Sequence, residues 1–103
     1  MRIDDRTDRP VHFAEFAERH NLVLVFQERH GPDVVNRYHC DFDHAETKEG
    51  SIRVGTHGNG RTKGQALADY ASKLLGKVLV VGTGTKDRQE IQCPNEWKSV
   101  NLG

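Results

Sequence analysis

Between Thr62 and Gly76 the chain spells one helix with both ends marked, and this segment constrains the fold more than any other. Thr62 and Gln65 stand three apart, the capping-box spacing in which each side chain satisfies a backbone donor at the helix start. Ala66, Leu67, Tyr70, Ala71, Leu74 and Leu75 then recur at helical spacing and form a wide apolar stripe. Gly76 stops the helix where a left-handed residue is wanted. A stripe this wide must be covered, so the rest of the chain has to supply a surface for it.

That surface reads as strands. Leu22 to Gln27 is rich in leucine, valine and phenylalanine, and Gly31-Pro32-Asp33 is turn chemistry. Asn36 to Asp43 alternates, with Tyr38, Cys40 and Phe42 on one face and His39, Asp41 and Asp43 on the other. His44 to Gly50 is polar and ends in glycine, which predicts a hairpin loop. Ser51 to Thr56 predicts a third strand, with Ile52 and Val54 sharing a face and Arg53 opposite. Gly58-Asn59-Gly60 predicts a break before the helix.

Upstream, Phe13, Phe16, Ala17 and His20 follow the i, i+3, i+4, i+7 spacing of a first helix. Pro10 suits its first turn, Asp8 its cap, and Asn21 its end. His20 reads as a half-buried residue suited to the helix C-terminus. Residues 1–9 alternate charge without an apolar period and read as a flexible arm. After Gly76, Val78 to Val81 reads as a buried strand. Glu90 to Cys93 is placed to pair with it across Gly82-Thr83-Gly84-Thr85, and the lone Trp97 to anchor the tail. The expected architecture is α+β, in the order α-β-β-β-α, with a three-stranded antiparallel sheet and both helices on one face. Residues 10–76 make this domain, and residues 77–103 a C-terminal extension packing on or beside it, with room for an extra hairpin. His39, Asp41, Asp43 and Arg53 fall on the sheet's other face.

Composition narrows the function classes. With 103 residues the chain has one modest core. Fifteen lysines and arginines balance fifteen aspartates and glutamates, so any attraction to polyanions must come from a local patch. Met1 to Pro10 is polar and charged, unlike a signal peptide, and no run approaches the roughly 20 apolar residues of a membrane span. A cytoplasmic protein without membrane contact is expected. Two cysteines, Cys40 and Cys93, are too few for a disulfide framework and read as reduced thiols.

The residue patterns that carry chemistry are few. Arg53, Arg61 and Lys63, joined by Arg37 and Lys73, form a basic set beside the helix start at Thr62, whose free backbone donors suit phosphate. Read as a string, His39, Cys40, Asp41, Asp43 and His44 suggest metal ligands. Strand geometry turns Cys40 away from His39. Asp41 with His39 or Asp43 could share an ion on the outer face, with His57 approaching from the third strand, but no second cluster has zinc spacing. No nucleophile elbow, phosphate loop or zinc-protease motif occurs. Gly82-Thr83-Gly84-Thr85 lacks the third glycine of a dinucleotide site. Neither a cofactor nor an enzymatic role is expected.

The order helix, three strands, helix resembles the double-stranded RNA-binding domain. His30-Gly31-Pro32-Asp33 resembles that family's glycine-proline loop between the first two strands. Arg37-Tyr38-His39-Cys40-Asp41-Phe42 resembles its second strand, and Gly58-Asn59-Gly60-Arg61-Thr62-Lys63 its glycine-rich lead into the last helix. Ala66 and Ala71 resemble the small residues that let that helix lie close to the sheet. The resemblance covers roughly residues 11 to 76. It implies three contact regions for structured RNA: Lys63 with Arg61 and Thr62 at the helix start, the loop at Pro32, and Glu15 on the first helix toward ribose hydroxyls. The sequence departs from the pattern in each basic region. Gly64 and Leu67 or Ala68 stand where further lysines are usual, and Val34 follows Asp33 where a histidine is usual. Two functions stay open. One is a binding module that takes structured RNA or other nucleic acid by shape and phosphate contacts, through Glu15, Pro32, Arg37, Arg53, Arg61, Thr62 and Lys63. The other is a protein-interaction module, a small accessory protein of the kind found in phages and mobile elements, using the same fold.

Overall fold

The computed structural model, which describes residues 11–32, 34–82, 86 and 88–100, contains two helices and nine strands. Strand β1 (Val11–His12) leads directly into helix α1 (Phe13–Arg19). Next come β2 (Leu24–Glu28), β3 (Tyr38–Phe42), β4 (Ala45–Glu49), β5 (Ile52–Val54) and β6 (Gly58–Gly60). Helix α2 (Lys63–Leu74), β7 (Val78–Val81), β8 (Gln89–Gln92) and β9 (Trp97–Ser99) complete the chain. The class is α+β, as expected. The single three-stranded sheet is not what forms: strands fall into sheets β2-β3-β6, β5-β4-β7-β8 and the short parallel pair β1-β9.

Much of the difference comes from residues 44–50. Instead of a loop, they continue the second strand into β4, and the turn shrinks to Gly50 and Ser51. The polar string Ala45-Glu46-Thr47-Lys48-Glu49 hides a strand because only one of its side chains, Thr47, is fully covered. Thr47, 1% exposed, faces inward, and its hydroxyl meets Val54 O at 3.1 Å and Thr56 Oγ1 at 2.6 Å. His44, at φ 54°, is the kink where the chain leaves one sheet for the next. On the return path β5 pairs with β4 and β6 with β3. The expected hairpin of the tail is present: β7 pairs antiparallel with both β4 and β8.

The segment Gly58–Gly60, read as a break, is a strand pressed against α2. A Cβ at Gly58 would overlap Ala66 O and Tyr70, and one at Gly60 would overlap Ala66 N and Gln65. The glycines therefore serve close approach of helix to strand. Helix α2 starts as its sequence predicts, with Gln65 N donating to Thr62 Oγ1 at 3.1 Å and Arg61 N donating to Gln65 Oε1 at 3.0 Å. It ends at Gly76, which is left-handed at φ 69°. Helix α1 begins later than expected, with His12 at its N-cap and no side-chain cap. The arm 1–9, Asp8 and Pro10 lie outside the described residues. The end of α1 is a Schellman closure: Asn21 is left-handed, Leu22 N donates to Ala17 O and Asn21 N to Glu18 O. His20 caps it half-buried, its ring 4.8 Å from that of Phe16.

Both helices feed one core. Phe13 stacks on Phe42 at 5.3 Å, and Tyr70 sits edge-on to both. The Tyr70 hydroxyl accepts from Phe42 N at 3.0 Å. Leu79, Ile91 and Cys93 extend this core from the tail. Trp97 closes it, with its ring 4.9 Å from Phe13 and 5.2 Å from Phe16, and its indole donates to Ala71 O at 2.8 Å. Ile52 and Val54, expected inward, are 65% and 38% exposed, because β5 is the sheet's outer strand and lies beyond the reach of both helices. Among the described residues no helix is long and apolar enough to cross a membrane.

Candidate nucleic-acid interface

The site is set by the register of the β2-β3-β6 sheet. Cys40 and Phe42 face the helices, so odd-numbered β3 residues point to the opposite, helix-free face. Phe26 lies opposite Cys40 and Gln27 opposite His39, while His39 lies opposite Asn59. One step beyond the last pairs, Arg29 N donates to Arg37 O at 2.7 Å, and the same register brings Arg37 level with Arg61. Three strands thus deliver three arginines to one edge.

Pro32, Val34, Val35, Arg37 and Arg61 line an open cleft of about 510 Å³ there. The loop after β2 forms its apolar wall and the two guanidinium groups its polar one. Three of the seven residues expected at an interface therefore meet: Pro32, Arg37 and Arg61. The other four do not join them. Lys63 lies with its ammonium 5.7 Å from the Phe26 ring centre, on the helix side of the sheet. Thr62 is occupied as the helix cap. Arg53 belongs to β5 in the other sheet. Glu15 pairs with Arg19 at 2.8 Å along α1.

Sequence reasoning missed Arg29, which lies past the expected strand Leu22 to Gln27. The signal was the pairing sum: Arg29, Arg37 and Arg61 are each one residue past a strand pair. Sequence reasoning also brought His57 toward His39 and Asp41 only as a metal arrangement, not as a ring contact. The His39 and His57 rings lie 4.3 Å apart, and Arg29 Nη2 is 3.5 Å from His39 Nδ1. Burial, then the neighbouring His39, hold His57 below the usual histidine range; Lys73 and Arg29 add to this and Asp41 opposes it. Among the described residues, no three His, Cys, Asp or Glu side chains converge as a metal site.

The free edge of β6 is closed. Asp69 Oδ2 accepts from Asn59 N at 2.9 Å, Lys73 Nζ donates to His57 O at 2.9 Å, and the two side chains pair with each other at 2.9 Å. A second open cleft, of about 530 Å³, lies between the end of α1 and the His44 kink. On its rim Arg19 pairs with Glu15, and the His44 ring lies 3.6 Å from Asp43. Both thiols are free and buried; burial raises Cys40 to about 11 and Cys93 to about 12, so neither is a ready nucleophile. No protein-family model, curated protein or solved structure matches the chain.

Proposed function

We propose that this chain is a small non-enzymatic module that binds structured RNA through phosphate contacts and shape. The observation that supports it is the cleft where Arg37 and Arg61, distant in sequence, meet beside Pro32 with no carboxylate in ion-pair reach among the described residues. Elsewhere cations are commonly matched: Lys48 with Glu90 and Lys77 with Glu49, each at 3.2 Å. Two or three such contacts give weak, salt-sensitive affinity. The likeness of residues 11–76 to the double-stranded RNA-binding domain supports the same reading.

Fluorescence anisotropy with a stem-loop RNA tests this over a salt series. Arg37→Ala and Arg61→Ala each weaken binding similarly for all sequences and lower the salt slope by about one. Absence of binding at low salt rejects the reading. A second reading, docking of a protein partner, rests on the exposed Ile52 and Val54 of β5. It gains if RNA binding is absent and Ile52→Asp abolishes association with the partner or with a second copy of the chain.

A further inference from the structure

The helix-free face of the β2-β3-β6 sheet offers more than one cleft. Its first row is Arg29, Arg37 and Arg61, and its second is Gln27, His39 and Asn59. Its third holds Val25 and Asp41, with His57 beside them. Like charges set side by side across strands destabilise a sheet. In a chain with equal numbers of acids and bases, this row is nonetheless left without a carboxylate partner among the described residues. Neighbouring strands lie about 4.8 Å apart, so the three arginines span about 10 Å, the scale of two or three phosphates on one strand. Recognition of a duplex by shape spreads contacts over two minor grooves, whereas this row alone matches the length of one strand's backbone. Beside the row, the paired His39 and His57 rings form an aromatic surface of the kind on which unpaired bases stack.

We propose that this face holds an unpaired nucleic-acid strand, its phosphates along Arg29, Arg37 and Arg61 and a base against the His39–His57 pair. The proposal rests on the RNA reading above and specifies which part of a structured RNA is taken: a loop or overhang. Asp41, in the third row, repels phosphate and keeps the backbone on the arginine side, while Lys73 and Asp69 neutralise each other at the β6 edge. Lys63, on the opposite side of the sheet, takes no part.

The test compares a uridine strand of about ten nucleotides with a blunt RNA duplex of about 16 base pairs and with inorganic tripolyphosphate. The expected result is single-strand binding at least about fivefold tighter than duplex binding. Arg29→Ala lowers the single-strand salt slope by about 0.7. His39→Ala and His57→Ala each weaken single-strand binding about fivefold or more, while Lys63→Ala leaves it unchanged. Thermal melts of each variant confirm that it folds. Duplex binding equal to single-strand binding, with Arg29→Ala silent, overturns the inference and leaves the RNA reading standing. Tripolyphosphate matching the oligonucleotide, with the histidine variants silent, also overturns it, reducing the face to a general polyanion site. Failure of the strand, the duplex and the stem-loop alike removes both.

Discussion

Single residues carry unusual weight here because the core is small. The Tyr70 hydroxyl satisfies Phe42 N in a site where neither can reach water. Tyr70→Phe leaves that donor unpaired and is expected to cost about 1–3 kcal/mol in urea unfolding with an unchanged slope. At Gly58 even a methyl group has no room, so Gly58→Ala is expected to cost about 3 kcal/mol or more, or to push α2 off the sheet. The histidines set a pH limit. Burial and neighbouring positive charge hold His57 and His20 below the free histidine value. The unfolded chain therefore takes up protons before the folded one does. The stability this represents is present above about pH 6.5 and is lost as pH falls below it. Thermal melts from about pH 7.5 to about 5 are expected to show a falling Tm, and His57→Gln to flatten the fall. A phosphate ligand on the same face would favour the charged ring, so its stabilising effect grows as pH drops.

At the level of elements, legibility followed pattern strength. Helix α2 was readable end to end, since the cap, stripe and stop are all local signals in Thr62, Gln65 and Gly76. The β7–β8 pair was readable from its apolar run and its bounding residues. Strand β4 was not, because Glu46, Lys48 and Glu49 look like loop and only Thr47 is fully covered. Gly58–Gly60 was misread for a different reason: the local rule reports flexibility, whereas the cause here is the body of α2 lying above. Of the candidate interface, Pro32, Arg37 and Arg61 were visible, but Arg29 and the His39–His57 contact depend on register, which sequence spacing does not fix. Strand β6 also carries a device that works only as an element. Asp69 and Lys73 occupy the backbone groups at its edge, as natural sheets do to stop further pairing. The double variant Asp69→Ala, Lys73→Ala is expected to self-associate with rising concentration in sedimentation velocity, whereas Lys98→Ala is not.

Across the whole molecule, the tail is part of the core. Trp97 contacts Phe13 and Phe16 and donates to Ala71 O, and its strand β9 pairs with β1. Trp97→Phe keeps some apolar bulk but loses the indole donor; Trp97→Ala is expected to cost about 3–5 kcal/mol. As the sole tryptophan, its fluorescence reports closure of β1 and β9 onto the helices. The path from Tyr38 to Glu49 has a mechanical consequence. One continuous stretch of backbone is the middle strand of one sheet and an inner strand of the next, turning at His44. Neither half of the protein can peel away without breaking the beam they share. Amide protons of Cys40 and Thr47, one in each sheet, should therefore exchange through a common opening event as denaturant is raised.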